Sequence, residues 1–202
     1  MAFDFPAITG PKLNLGCGRD IKPTARGWVN LDGFVVEPGV VKHDIAQVPW
    51  PFKDGEFDLV YCSHVLEHIA PIFREHQGTK RDVIFDIFEE IHRVLKPGGL
   101  LFARVPWGYS HEGLAHIQHY RQWRPEWAQF FEPDHVENYY TSARFRLESW
   151  RRTRDVESLR LKHKLLFGDP PISLTSHLSV RLPFLRKLLW APSELQLEMR
   201  KV

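Results

Sequence analysis

The chain has 202 residues, 43% of them hydrophobic and 26% charged, which suits one soluble domain with a substantial core. Its formal net charge of +2 is too small to indicate a nucleic-acid partner by itself. Two cysteines, Cys17 and Cys62, exclude a disulfide-rich secreted scaffold and favour a reducing, cytoplasmic location. The sequence also predicts neither a signal peptide nor a transmembrane segment.

Five short strands are predicted in the first half of the chain. The first three are Lys12–Leu15, Trp28–Asp32 and Val40–Asp44, and the last two of these end on a carboxylate. The other two, Phe57–Ser63 and Gly98–Pro106, are nearly continuous apolar runs, which is typical of strands buried on both faces of a parallel sheet.

One helix is predicted between the fourth and fifth strands, because apolar residues recur there at helical spacing: Ile84, Ile87, Phe88, Ile91, Val94 and Leu95. Thr79 with Asp82 matches a capping box at its start, and Pro97 with the two following glycines is expected to end it. Strands that alternate with crossovers predict an α/β fold with a Rossmann-like, doubly wound, mostly parallel sheet.

The second half of the chain has a different pattern. A short helix is predicted from Pro125, two antiparallel strands follow within residues 138–165, and the segment after Arg181 is expected to be helical. We therefore interpret residues 1–202 as a single domain with four parts: a ligand-binding core (12–106), a cap over the acceptor region (107–135), a terminal hairpin (138–165) and a C-terminal tail (172–202).

Gly16 and Gly18 follow the first strand, at the sheet edge where parallel α/β sheets bind ligands. A plain tight turn would explain either glycine alone. The dinucleotide motif G-x-G-x-x-G is incomplete, since Ile21 stands at its third glycine. Only about two helical turns fit before the next strand, so a helix that binds a pyrophosphate is not expected.

Two carboxylates complete the predicted ligand site. Asp32 ends the second strand and can accept hydrogen bonds from ribose hydroxyls, although helix capping or a turn would also explain it. Asp44 ends the third and can accept one from an exocyclic amine of a base. Three adjacent strand ends would then bind a nucleoside without contacting a phosphate.

These segments, in this order, resemble the class I S-adenosylmethionine-dependent methyltransferases, and most closely a small bacterial type. The resemblance covers residues 12–106 and is carried by "LNLGCG", "WVNLD", "HDI", "PWPFKDGEFDLVYCSHVLEH" and "EEIHRVLKPGGLLFARVP". It implies a seven-stranded sheet that ends in an antiparallel hairpin, S-adenosylmethionine as cofactor, S-adenosylhomocysteine as product, and in-line methyl transfer that depends mainly on positioning.

The resemblance also implies which residues bind the cofactor. The methionine part would be contacted by Asn14, Gly16, Cys17, Gly18 and Arg19, with Arg19 at its carboxylate. Asp32 would bind the ribose, Asp44 and Ile45 the adenine, and Ser63 and His64 the sulfonium region.

His116 and His119 are the predicted catalytic residues. They lie after the fifth strand, where this fold usually covers the acceptor, and a histidine can take a proton from an oxygen or nitrogen nucleophile. The acceptor is expected to be a small or medium-sized molecule. Eight Lys or Arg against three Asp or Glu between Arg144 and Lys164 leave RNA, or a nucleotide-linked or acidic glycan, as an alternative. The oligomeric state and the acceptor's identity stay open.

Other functions remain open at this point. "HVLEH" matches H-x-x-E-H, so His64 and His68 on one helix face, with Glu90, would make a zinc hydrolase; our preferred interpretation contains no metal. Because Asp20 stands where the resembling family usually has a third glycine, a cofactor-binding protein without transfer activity also stays open. A nicotinamide-dependent oxidoreductase shares the fold class but requires the missing glycine.

Overall fold

The structure is a computed structural model that describes residues 8–76, 78–153 and 194–202. The strands within these ranges are β1 Lys12–Leu15, β2 Trp28–Asp32, β3 Val40–Lys42, β4 Phe57–Ser63, β5 Phe73–His76, β6 Thr79–Asp82, β7 Leu95–Pro106, β8 Phe145–Thr153 and β9 Glu194–Lys201. The α-helices there are α1 Val83–Val94 and α2 His111–Ala115, and 3-10 helices span Thr24–Arg26, Leu66–His68, Pro125–Phe131 and Asn138–Tyr140.

Seven of these strands form one sheet in the order β3-β2-β1-β4-β7-β9-β8. In this sheet β3, β2, β1, β4 and β7 are parallel, and β9 runs antiparallel between β7 and β8. Strands β5 and β6 form a separate antiparallel pair. The predicted α/β, Rossmann-like sheet with a C-terminal antiparallel pair is confirmed. The strand order reverses between β1 and β4, and open parallel sheets form their ligand crevice at such a point.

The partner of β8 differs from the expected one. Throughout its length β8 pairs with β9, whereas the predicted second arm, "SLRLKHKLL" at residues 158–166, lies outside the described residues. The helix expected at residues 194–201 is wrong, because buried side chains alternate there with more exposed ones. Leu195, Leu197 and Met199 are buried, and this pattern fits a strand.

Helix α1 lies where the apolar spacing predicts it, but it begins differently. The N-cap is Asp82, whose side chain accepts a hydrogen bond from the Ile84 N–H at 3.1 Å. The predicted capping box is wrong, since Thr79 lies in β6 and its hydroxyl donates to the His76 carbonyl at 3.0 Å. The helix ends at Val94, before the proline and glycines expected to end it.

The segment after β7 covers the core. Phe131, at the end of the 3-10 helix predicted as a short helix, stacks on Phe88 of α1 with ring centroids 4.1 Å apart. Trp123 is buried in the same cluster. This packing holds the chain between β7 and β8 against α1 and the core. None of the helices described is long and apolar enough to cross a membrane.

Candidate functional site

The glycine turn after β1 has a backbone that requires glycine at two positions. Gly16 and Gly18 have φ angles of +65° and +51°. A Cβ added at Gly16 would lie 2.4 Å from Cγ2 of Val65 and 3.2 Å from Cδ1 of Ile45, whereas a Cβ at Gly18 would meet nothing within 4 Å. The turn is therefore packed from one side at Gly16 and open at Gly18.

Asp32 connects this turn to the end of β2. Its Oδ2 accepts from the Gly18 N–H at 2.8 Å, and its Oδ1 accepts from the N–H groups of Phe34 and Val35 at 2.7 and 3.0 Å. Burial alone would raise the pKa of Asp32, but the three backbone donors hold it below its usual range. Oδ2 can accept one further bond, so this ionised group can fix the turn and still bind a hydroxyl.

The other predicted residues of the turn lie in three different environments. The Asn14 amide is buried and donates to the Asp20 carbonyl at 2.8 Å and to Asn30 Oδ1 at 3.0 Å, so it supports the turn from within the sheet. Cys17 is buried, and this burial, with the charge of Asp32, raises the pKa of its thiol to about 11. Arg19 is exposed.

The loop after β3 approaches the same turn. Ile45 is buried against Gly16, and its carbonyl accepts from the Trp50 indole N–H at 3.0 Å. Asp44 lies two residues beyond the end of β3 rather than at its last position; it is exposed, and its Oδ1 accepts from the Ala46 N–H at 2.9 Å. The connection between β1 and β2 contains only the 3-10 helix Thr24–Arg26, which confirms that no full helix follows the glycines.

Ser63 and His64 lie at the end of β4. Ser63 Oγ accepts from Arg104 Nε at 2.9 Å. His64 has a φ of +55°, and its N–H donates to the Arg104 carbonyl at 2.8 Å. This backbone conformation directs its ring between two carboxylates: Nδ1 lies 3.3 Å from Glu67 Oε1, and Nε2 lies 3.0 Å from Glu194 Oε1.

The two carboxylates set the charge of His64. Burial alone would lower its pKa, but Glu194 and Glu67 raise it to about 9, so the ring is an imidazolium at neutral pH. Glu67 is 1% exposed, and among the described residues neither of its oxygens accepts a hydrogen bond. Sequence reasoning missed both acids; the alternation of β9 was the available signal for Glu194, and none pointed to the role of Glu67.

The zinc arrangement considered for H-x-x-E-H is wrong. Leu66–His68 is a single 3-10 turn, and His64 precedes it in the left-handed region, so the two histidines do not share a helix face. Glu90, the expected third ligand, instead accepts from the Trp50 N–H at 2.6 Å and pairs with Arg93. The three groups are therefore engaged in separate interactions.

His68 lies instead with the two predicted catalytic histidines. The rings of His116 and His119 stack with centroids 4.3 Å apart, and His68 meets them edge-on at 5.5 and 4.9 Å. One ring nitrogen from each lies within 4.8 Å of the others. His68 and His116 are exposed and His119 is half-buried, so the cluster lies at the surface, beyond the ends of β4 and β7.

Comparison with known families and proteins agrees with this geometry. A family model described as "Methyltransferase domain" matches residues 17–103. The human thiol S-methyltransferase TMT1B is 28% identical over 145 residues, which are 71% of this chain and 46% of that protein. The chain thus spans about half the length of this curated relative.

Solved structures share the fold at low sequence identity. A SAM-dependent methyltransferase from Archaeoglobus fulgidus has a TM-score of 0.56 and 18% identity, with 97% of this chain and 89% of that chain covered. One from Mesorhizobium loti has a TM-score of 0.51 and 16% identity, with 96% and 93% covered. The [4+2]-cyclase SpnF has a TM-score of 0.52 and 15% identity, with 96% and 76% covered. Residues 17–103 thus match the model of a methyltransferase domain, and the chain shares its fold with structures described as S-adenosylmethionine-dependent methyltransferases.

Proposed function

We propose that this chain transfers the methyl group of S-adenosylmethionine to a nucleophile of a small or medium-sized acceptor and releases S-adenosylhomocysteine. The observation that carries the proposal is the bond from the Gly18 N–H to the buried, ionised Asp32 at the point where the strand order reverses. It fixes an open glycine turn beside a carboxylate with unused acceptor capacity, which suits a nucleoside that carries an amino-acid chain.

The cofactor contacts extend along the edge from β1 to β4. Asp32 would bind the ribose, and buried Ile45 offers an apolar surface to the adenine while exposed Asp44 accepts from its amine. Asn14 supports the turn rather than touching the ligand. The methionine part would meet Gly16, Cys17, Gly18 and Arg19, and the sulfonium region would meet Ser63 and His64.

The reaction requires alignment more than acid–base power. A methyl group on a sulfonium is displaced in line by the acceptor's lone pair, the carbon–sulfur bond breaks, and the thioether leaves uncharged. Holding nucleophile, carbon and sulfur in line supplies much of the acceleration. The charge of His64 beside the sulfonium would be offset by Glu67 and Glu194, which flank its ring.

An oxygen or nitrogen nucleophile is our first candidate for the acceptor, and a thiol is the second. His116 or His119 would bind the acceptor or remove its proton, which suits hydroxyls and ammonium groups. The thiol is favoured by the 28% identity with the human thiol S-methyltransferase. An RNA or acidic-glycan acceptor has less support, because in the described strands Arg151 pairs with Glu198 and Arg200 with Glu148.

A cofactor-binding protein without methyl transfer is the alternative from another class. The [4+2]-cyclase SpnF, whose name describes a different reaction, shares this fold at a TM-score of 0.52. Fold alone therefore does not fix the reaction. We also propose a cytoplasmic location, which the two free cysteine thiols fit.

Calorimetric titration with S-adenosylhomocysteine tests the cofactor site. We expect saturable binding by the wild type and loss of binding in Asp32→Ala. Glu37→Ala removes an exposed carboxylate from the loop after the same strand and should bind like the wild type. Absence of wild-type binding would refute the proposal.

An acceptor panel then tests transfer. Hydroxyl, amine and thiol compounds are incubated with S-adenosylmethionine, and S-adenosylhomocysteine is measured. Turnover with any class supports methyl transfer and identifies the nucleophile. Tight cofactor binding without turnover across the panel would favour the binding protein. A His116→Ala/His119→Ala double variant with an unchanged rate on the true acceptor would remove both histidines from the mechanism.

A further inference from the structure

His68, His116 and His119 form a histidine cluster, and the methyl-transfer proposal gives no role to His68. It contains three imidazoles from two distant segments, and a ring nitrogen of each lies within 4.8 Å of the other two. We propose that these three side chains bind a divalent transition-metal ion, with Zn²⁺ as the best match, and leave at least one coordination position for water or the acceptor.

Backbone hydrogen bonds bring the three residues together. The His119 N–H donates to the His116 carbonyl at 3.0 Å, and this turn directs both rings to one side. The His68 N–H donates to the Val65 carbonyl at 3.0 Å in the turn after β4. The Tyr120 N–H donates to the Glu67 carbonyl at 2.9 Å, which joins the neighbours of His119 and His68 directly. The site is thus assembled by the backbone before any ion binds.

The donor set and its dimensions suit zinc. Imidazole nitrogens bind Zn²⁺ at about 2.0–2.1 Å, so a tetrahedral site separates its nitrogens by about 3.3 Å. The cluster must close by about 1.5 Å at most from its widest spacing of 4.8 Å, and exposed rings on turns can rotate by that much. Three protein ligands with an open fourth position are typical of catalytic zinc sites, whereas structural sites fill all four.

Coordination by His116 requires it to give up a hydrogen bond of its ring. His116 Nδ1 accepts from the Gln118 N–H at 3.2 Å. Coordination through Nδ1 would replace this bond directly, and coordination through Nε2 would move the ring proton to Nδ1 and break it. At 3.2 Å the bond is at the long end of its range, so its loss costs little compared with a metal–nitrogen bond.

The metal would change how His116 and His119 act. A coordinated imidazole has no lone pair for an acceptor's proton. The ion would instead bind the acceptor's oxygen, nitrogen or sulfur and lower its pKa, as zinc does for a bound water. The inference extends the acceptor role proposed above, but its test measures metal binding without turnover, so failure of one is distinguishable from failure of the other.

The test uses the whole chain freed of metal by chelation and titrated with Zn²⁺ by calorimetry. We expect one ion per chain for the wild type. His68→Ala, His116→Ala and His119→Ala should each weaken binding by more than the roughly 10–100-fold that loss of an outer-sphere partner costs. His135→Ala is the matched control, because His135 Nδ1 also accepts from the N–H two residues ahead at 3.2 Å but its ring contacts Phe130.

Cobalt substitution gives a second measurement that needs no variant. A tetrahedral site with nitrogen ligands should give intense visible absorption with Co²⁺, and Zn²⁺ should displace it. An adventitious six-coordinate ion would absorb weakly. No saturable Zn²⁺ binding by the wild type would overturn the proposal. Binding that survives in the His68→Ala/His116→Ala/His119→Ala triple variant would overturn it as well.

Discussion

His64 Nε2 lies 3.0 Å from Glu194 Oε1, although 130 residues separate the two in the sequence. His64 follows β4, and Glu194 begins β9, where it pairs with Pro106 at the end of β7. Arg104 Nε is 3.9 Å from the same carboxylate oxygen, and Glu67 faces the other ring nitrogen. The C-terminal strand therefore adds a charged group to the edge that carries the proposed sulfonium site.

The first prediction concerns the pH dependence of this pair. The folded pKa of His64 is about 9, above the ordinary value of 6.5. The stabilisation that protonated His64 contributes to the folded state is therefore fully present below about pH 6.5 and is lost as the pH rises through 9. We expect the coupling free energy between His64→Asn and Glu194→Gln, measured by urea unfolding in a double-mutant cycle, to be smaller at pH 10 than at pH 6.5.

The Arg200–Glu148 pair, which joins β9 to β8, is the control for this measurement. A guanidinium keeps its charge throughout this range, so its coupling to Glu148 should not change between pH 6.5 and 10. A His64–Glu194 coupling that is equally independent of pH would contradict an imidazolium at this position.

The second prediction concerns Gly16, whose substitution should mainly affect folding. Alanine there would adopt a φ of +65° with its Cβ 2.4 Å from Val65. The left-handed backbone costs about 1–2 kcal/mol and overpacking about 1–3 kcal/mol more. We therefore expect Gly16→Ala to lower the free energy of unfolding by about 2–5 kcal/mol. Val65→Ala in the same chain should recover part of this loss, and a double variant no more stable than Gly16→Ala would exclude the clash.

The third prediction concerns Gly18, whose substitution should mainly affect ligand binding. A Cβ there meets no protein atom within 4 Å, so only the backbone cost of about 1–2 kcal/mol applies to folding. The added methyl would occupy the space proposed for the cofactor. We expect at least tenfold weaker binding of S-adenosylhomocysteine. Gly78→Ala shares the positive φ and the open surroundings but lies between β5 and β6, so it should bind normally. Normal binding by Gly18→Ala would remove the turn from the site.

The sequence was sufficient where the physical signal is local. The bounds of β1, β2 and β4 match the prediction, because each apolar run is limited by glycine, proline or charged residues. Helix α1 follows from its 3.6-residue period. The positions of Gly16 and Asp32 at one sheet edge follow in turn from parallel pairing of β1 and β2.

The sequence was insufficient where distant segments decide the structure. The spacing of His64 and His68 suggested one helix face, but the positive φ of His64 and a single 3-10 turn separate them. His68 meets His116 and His119 where two loops come together, joined by the Tyr120–Glu67 backbone bond, and no local pattern encodes that contact. The contact between Glu194 and His64 was likewise not predicted, because residues 194–201 were interpreted as a helix.

Glu89 provides the last prediction, because it connects α1 to the chain that precedes β8. Its carboxylate accepts from Arg81, which is 8% exposed, at 2.8 and 2.9 Å, and from the Ser142 N–H at 2.7 Å. Burial alone would raise the pKa of Glu89, but Arg81 and Ser142 lower it to about 2. Without the negative charge of Glu89, the buried guanidinium of Arg81 would lose one of its two carboxylate partners.

We therefore expect Glu89→Gln to lower the free energy of unfolding by about 1.5–3 kcal/mol at pH 7, the range for hydrogen bonds to charged groups, because Arg81 keeps Asp86 as a second partner. The folded pKa lies below the ordinary value of 4.5, so the stabilisation is present above pH 4.5 and is lost as the pH falls towards 2. Urea unfolding from pH 7 to 3 should show the gap between wild type and variant shrinking. Glu126→Gln, at an exposed site, should change stability by less than about 0.5 kcal/mol. A gap for Glu89→Gln that stays constant down to pH 3 would mean that its charge does not hold these segments together.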